Sequence, residues 1–285
     1  MLELSQGDGR WDLRYGGDTL NTAIHLARAG HDVAYMTAVG KDALSRKLVA
    51  DWAAEGLDTS LVLEHPTRQT GLYAITTDDA GERSFAYWRD ASAARELFAL
   101  ADAALWRRAT EGVDLIHFSL VSIAILPPAG RRALLMLANM VKDGGGKVSF
   151  DGNYRARLWE SAGEARALRD IAIAEAQFGL PTLEDETAIS GETDADAVAA
   201  HWQALGCAEV VVKLGADGVR LPDGTRQAPP ERLKPIDTSG AGDAFDAGYL
   251  AARLSGEPPA AAARAGQALA GWTIMRPGAI PPRAG

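Results

Sequence analysis

Asp237-Thr238-Ser239-Gly240-Ala241-Gly242-Asp243 leads straight into Ala244-Phe245-Asp246-Ala247-Gly248-Tyr249-Leu250. Gly240 and Gly242 let the backbone approach a ligand closely and adopt positive φ. Ala244, Ala247, Leu250, Ala251 and Leu254 then recur at helical spacing and stop at Gly256. A loop of small residues therefore opens a buried helix. The free amides at such a start point outward, and the helix dipole favours an anion there. Asp243 puts a carboxylate in that same turn, an unfavourable neighbour for a phosphate unless it takes a proton from something. The combination points to a phosphoryl-transfer base, Asp243, beside an anion hole built from Gly240, Ala241 and Gly242. The plain alternative is an ordinary helix start with a first-turn charge. For an isolated Gly-x-Gly-Asp that alternative is the stronger, so the rest of the chain has to decide.

The 285 residues suit one large α/β domain. A net charge of -9 argues against nucleic acid and anionic membrane as partners. No stretch reads as a leader or a membrane span, and the expectation is a soluble, cytoplasmic protein. The single cysteine, Cys207, excludes an internal disulfide. His25, His31, His65, His117 and His201 lack ligand spacing, which argues against zinc. His117, in an apolar run, reads as a core histidine.

Toward the start, Tyr15-Gly16-Gly17-Asp18-Thr19-Leu20-Asn21 precedes an apolar helical pattern that stops at Gly30. Asp18 or Thr19 can cap that helix. The paired Gly16 and Gly17 also let a sugar lie against the backbone, with Asp18 and Asn21 binding its hydroxyls. Asp32 to Gly40 reads as a strand. Thr70–Ile75 and Arg83–Arg89 read as two strands of a hairpin joined by Asp78-Asp79-Ala80-Gly81-Glu82. On it, Tyr73 and Tyr87 offer a hydroxyl and an aromatic face, and Arg89 can grip a carboxylate with two bonds. Packing of the two tyrosines on the core is the alternative. Further on, a strand from Gly146 to Asp151 runs into Gly152-Asn153-Tyr154-Arg155-Ala156-Arg157-Leu158-Trp159. Polar groups at the C-terminal end of a strand are where open parallel sheets hold their ligands.

Three of these stretches carry a family resemblance. Asp237–Asp243 resembles the Asp-Thr-x-Gly-Ala-Gly-Asp signature of the PfkB (ribokinase-like) sugar kinases at every defined position. Gly16-Gly17-x-x-x-Asn21 resembles their N-terminal substrate signature. Gly16-Gly17-Asp18-Thr19-Leu20-Asn21-Thr22 and Asp151-x-Asn153-Tyr154-Arg155-x-x-Leu158-Trp159 resemble the 2-keto-3-deoxygluconate kinases within that family.

The resemblance implies an α/β, three-layer αβα domain over residues 1–285, with a mainly parallel central sheet. A small β lid would comprise residues 64–90 and about 5–16. Relatives begin with an apolar strand ahead of the position of Met1, so that first strand is expected to be missing here. The implied activity is ATP-dependent phosphorylation of 2-keto-3-deoxy-D-gluconate to its 6-phosphate, in sugar-acid breakdown. Asn153, Lys213, Gly215, Asp217, Gly218, Gly240 and Gly242 would line ATP, and Arg155 would meet the acid end of the substrate. Mg2+ would be held through water by Asp185. There the chain departs from the family: Thr182 stands where relatives carry Asn, and Asp185 aligns with their Glu. A solvated acidic helix start explains Asp185 equally well. Relatives also suggest a homodimer or larger assembly.

Rivals remain open at this level. They are a kinase for a neutral sugar such as fructose or ribose, a non-catalytic sugar-acid binder, and a dinucleotide oxidoreductase. Against the last, Phe245 occupies the third glycine position of Gly-x-Gly-x-x-Gly, where close packing needs a small residue.

Overall fold

The computed structural model describes residues 1–7, 10–77 and 83–282. Four parallel strands, Leu115–Ser119, Lys147–Asp151, Phe178–Gly179 and Glu209–Val210, lie side by side in chain order. Helices including Pro128–Asp143, Ala162–Glu175 and Ala195–Ala204 return the chain between them. Alternation along a strand sends successive side chains to opposite faces. Val210 and Val212 accordingly enter a core with Phe150, Ile173 and Trp202. Val211, between them, joins Phe245, Leu250 and Ala262 in a second core on the other face. Helices thus cover both sides of the sheet, as the βα alternation of the sequence predicts.

Toward the N-terminus, Val33–Ala34 pairs in parallel with Leu57–Asp58, and Thr37–Val39 with Val62–Glu64. The single strand expected from Asp32 to Gly40 is therefore broken at Tyr35 and Met36. The cause is register: the step from Val33 to Thr37 is one residue shorter than that from Leu57 to Val62, so the ladder cannot continue. A cavity of about 1000 Å³ is lined by Ala34, Tyr35 and Thr37 of this region and by Leu115, Ile116 and His117 of the parallel sheet. His117 Nδ1 meets Ser149 Oγ at 3.1 Å, and burial pushes the ring down to about 4, which bears out a core role.

The lid is a four-stranded sheet in the order Arg10–Tyr15, Leu2–Gly7, Leu72–Thr77, Arg83–Trp88. Its first strand starts at Leu2, earlier than the expected residue 5, because Leu2 and Leu4 alternate with Glu3 and Ser5 in a period of two. The expected hairpin turn, Asp78 to Glu82, lies outside the described residues. Register puts Trp11, Leu13, Leu4, Ala74, Ala86 and Trp88 on one face, and Glu3, Tyr73 and Tyr87 on the other. Among the described residues, no helix is long and apolar enough to cross a membrane.

Candidate active site

The Ala241–Leu254 helix begins at Gly240, which takes φ 71° as N-cap and offers no side-chain cap. A Cβ there would stand 2.6 Å from Ala279 Cβ and 2.9 Å from its Cα, so glycine is required by both conformation and space. The Asp237 carboxylate accepts from the amides of Ser239 and Gly278, each at 2.9 Å, and ties this loop to the C-terminal segment. The Ala241 amide turns back to the Thr238 carbonyl at 3.3 Å, and the first turn as a whole presents the positive end of the helix dipole to an anion.

Asp243 follows one turn in. Asn21 Nδ2 donates to Asp243 Oδ2 at 2.7 Å, and Thr22 Oγ1 donates to the Asp243 carbonyl at 3.2 Å. These bonds bridge the Asp18–Arg28 and Ala241–Leu254 helices, which pack on each other. Burial, then the negative charge of Asp18, pushes the Asp243 carboxyl up to about 7, with Asn21 opposing. That is a suitable value for a base working near neutral pH.

Of the two readings of Asp18, the cap fails: Gly17, not Asp18 or Thr19, holds the N-cap position, without a side-chain cap. The Asp18 carboxylate is turned into the site instead. Ser119 Oγ donates to it, and Asn153 Nδ2 lies 3.4 Å away. Burial raises its pKa, opposed by the Ser119 bond. Asn153 is buried, and its Oδ1 has no partner among the described residues. It is an open acceptor on the side chain whose Nδ2 lies against Asp18.

Lys213 lies beneath the anion hole. Its ammonium reaches Asp246 at 2.8 and 3.1 Å and Asp151 at 3.1 Å, all three groups being buried. Burial works against its charge, but Asp151 and Asp246 outweigh burial and raise its pKa. The charge expected to face a nucleotide is thus held mainly inside, although Nζ is 3.7 Å from where a Cβ on Gly242 would stand. Gly215 and Asp217 form a short 3-10 turn, and Asp217 pairs with Arg232 at the surface. At Gly218 a Cβ would collide with the Gln227 carbonyl at 2.1 Å, so the antiparallel turn alone accounts for that glycine.

The lid closes the other side. A Cβ on Gly16 would stand 2.8 Å from the Tyr73 hydroxyl, which donates to the Glu3 carboxylate. Tyr73 stacks on Tyr87 with ring centres 5.9 Å apart. Arg89 and Arg157 both stand over the Tyr87 ring, at 4.6 and 3.8 Å from its centre. Arg155, in contrast, donates to Asp185 Oδ1 at 2.9 Å and to the Tyr154 carbonyl at 2.7 Å. Burial pushes Asp185 up to about 6 against the pull of Arg155.

The structure therefore gathers Gly16, Gly17, Asp18, Asn21, Tyr73, Asn153, Gly240, Gly242 and Asp243, with Tyr87 and Arg89 at the lid. Gly215 to Gly218 form a separate turn. Sequence reasoning missed Glu3, Ser119, Asp246 and Arg157. Asp246 had a signal: it follows Asp243 by three residues, on the same helical face. Glu3 had none, because its role depends on which face of the lid turns inward.

The chain matches the pfkB family carbohydrate kinase model over residues 3–284, and it belongs to that family. It is a sugar kinase, an enzyme that moves a phosphoryl group from ATP to a sugar hydroxyl. It is 39% identical over 292 residues to the 2-dehydro-3-deoxygluconokinase of Dickeya dadantii, covering 99% of this chain and 94% of the relative. The crystal structure of a PfkB protein from Polaromonas sp. JS666 superposes with a TM-score of 0.83 at 30% identity, over 95% of this chain and 91% of that one. The aminoimidazole riboside kinase of Salmonella enterica, solved with aminoimidazole riboside and an ATP analog, has the same fold. Its TM-score is 0.85 at 22% identity, over 98% of this chain and 92% of that one. Membership removes the oxidoreductase reading.

Proposed function

We propose that this enzyme phosphorylates 2-keto-3-deoxy-D-gluconate on its terminal hydroxyl, with ATP as donor, giving the 6-phosphate. One observation carries the reading. A raised carboxylate, Asp243, stands at an anion-binding helix start, and a line of polar groups leads from it to Arg89 beside the lid strand and Arg157 of the body, both over the Tyr87 ring. The name of the Dickeya relative supports the same substrate. A neutral hexose has no use for that cationic end.

In this mechanism the terminal hydroxyl lies against Asp243 and Asn21. Asp243 takes the proton as the hydroxyl oxygen bonds to the γ-phosphorus and the bond to ADP breaks. The amides of Gly240, Ala241 and Gly242 receive the charge on the transferred group. Asn153 and the Gly215–Gly218 turn border the nucleotide, and Lys213 adds positive charge from below. Lid residues exclude water from the transfer.

Mg2+ fits this donor set only through water. Asp185 is one carboxylate, burial lifts it to about 6, and its partner is the exposed Arg155. Its neighbour Glu186 is taken by Arg169 at 2.6 Å. Among the described residues no three-ligand cluster exists, in keeping with an ion that keeps most of its waters. When bound, Mg2+ neutralises phosphate charge. The apolar outer face of the lid supports a homodimer, and a lone cysteine supports a cytoplasmic location.

The test of the substrate is product analysis. With Mg-ATP and the keto acid, 13C NMR should show phosphorus coupling at C6. Phosphate at another carbon, or no product while a neutral sugar reacts, would remove the reading.

A further inference from the structure

On the transfer mechanism given above, we propose that His25 is a positioning residue for the reaction. It holds the Ala279 carbonyl that borders the anion hole, and so keeps the Gly240 turn set beside Asp243.

His25 lies in the Asp18–Arg28 helix and is only 2% exposed, in company with the buried Leu20, Ile24 and Leu26 of the same helix. A polar ring buried there needs a partner. Its Nε2 meets the Ala279 carbonyl oxygen at 3.2 Å, across 254 residues of chain. A carbonyl only accepts, so Nε2 carries the proton. Burial lowers the pKa of the ring, with the Ala279 bond opposing, so the donor is a neutral imidazole at neutral pH.

The oxygen that His25 holds stands against the anion hole. It lies 3.1 Å from where a Cβ on Gly240 would be, with the Ala279 Cα at 2.9 Å. Gly240 is the N-cap of the Ala241–Leu254 helix. A carbonyl oxygen carries partial negative charge, and beside a site that gathers phosphate charge it repels what the site attracts. A donor on that oxygen takes up its lone pair and fixes the direction of the peptide.

The helix that carries His25 also holds the base. Asn21, four residues earlier and on the same face, donates to the Asp243 carboxylate at 2.7 Å, and Thr22 donates to the Asp243 carbonyl at 3.2 Å. One turn after His25, Arg28 donates to the Pro281 carbonyl at 2.7 Å, while its other nitrogens hold Glu55 at 2.7 and 2.8 Å. The Gly278 amide is tied to Asp237 at 2.9 Å. The segment from Gly278 to Pro281 is thus fastened at three points, two of them on this helix. One rigid element therefore touches both the base and the wall of the anion hole, and sets one against the other.

The test compares wild type, His25→Leu, His25→Gln, Arg28→Met and the His25→Leu, Arg28→Met double variant by steady-state kinetics, with urea unfolding alongside. The acceptor is the sugar that wild type phosphorylates. His25→Leu should lower kcat about 10- to 100-fold, the effect of a buried acceptor left without its hydrogen bond and felt in the transition state. KM for the sugar should move less than about threefold. His25→Gln, whose amide can reach the same oxygen, should restore most of the rate. Arg28→Met should act in the same sense, and the double variant should lose less than the product of the single losses, because both act through one segment. A kcat for His25→Leu within about twofold of wild type overturns the proposal, whatever the urea midpoint does. So does an equal loss in the Leu and Gln variants, which would make the shape of the ring the requirement. If His25→Leu does not fold, His25→Gln and His25→Asn decide: both carry an amide, only the longer reaches Ala279, and equal kcat values overturn the proposal. A wild type that ignores the keto acid and phosphorylates a neutral sugar defeats the substrate reading above, whereas a normal kcat in His25→Leu on either acceptor defeats only this role of His25.

Discussion

At the scale of the residue, the account rests on Asp243. Replacing it with Asn keeps the shape and removes the proton acceptor. Asp243→Asn is expected to lose about 100-fold or more in kcat, with a modest change in KM; near-normal turnover would end its role as base. Its titration gives a second test. Burial and Asp18 lift the carboxyl from 3.8 to about 7, so the ionised base accumulates only as pH rises through that value. The logarithm of kcat/KM should therefore climb toward a plateau with a midpoint near 7 for the free enzyme. Asn21→Ala, which removes the donor that favours the ionised form, should move the midpoint upward. For stability the sign is opposite. A carboxyl whose folded value lies above its unfolded one binds more protons when folded, so its contribution falls as pH rises from about 4 to about 7. Asp243 and Gly240 were legible in the sequence from their spacing around one helix start, and Asn21 from its spacing after Gly16 and Gly17 at the start of another. Asp18 was read both as a possible cap and as a hydroxyl-binding residue, and only the structure separates the two: its carboxylate is buried and turned away from the cap position. That choice is made by Ser119 and Asn153, which lie 101 and 135 residues away along the chain.

At the scale of the element, the junction of the parallel sheet with the Ala241–Leu254 helix is held by a buried charge cluster. Lys213 ends one strand, Asp151 another, and Asp246 lies on the helix itself. Lys213→Met would leave two carboxylates facing each other without a cation. A loss of about 3–5 kcal/mol is expected, seen as a large drop in the urea midpoint. Lys213→Met combined with Asp246→Leu should recover part of it. If the single variant unfolds at the wild-type midpoint, the cluster is not a structural clasp. The strands and helices of this half were readable from apolar runs and from glycine and proline stops. The pairing register was not, because it depends on partners distant in the chain. Hence Asp32–Gly40 was read as one strand and proved to be two. Leu2–Gly7 was underestimated for a related reason: a short alternating segment becomes a strand only once Arg10–Tyr15 and Leu72–Thr77 flank it.

At the scale of the whole molecule, the outer face of the lid stands out. Trp11, Leu13 and Trp88 are 50%, 46% and 60% exposed on one side of a four-stranded sheet. Such a face against water favours burial by a second copy. Sedimentation should find a dimer, and Trp88→Glu with Trp11→Glu should yield monomers; an equal mass for both proteins would place any interface elsewhere. The cavity of about 1000 Å³ between Val33–Val39 and Leu115–Ser119 is the other large-scale feature. The layered α/β architecture was legible from the alternation of elements. The face of the lid that meets substrate was not, since both faces carry aromatic residues.

The most direct test of the central claim is the initial rate of ADP release from Mg-ATP, measured with 2-keto-3-deoxygluconate, gluconate, fructose and ribose in turn. The account predicts turnover with the keto-deoxy acid far above that with the other three. Equal or greater turnover with fructose or ribose would contradict it, leaving a family kinase whose Arg89 serves some purpose other than recognising an acid.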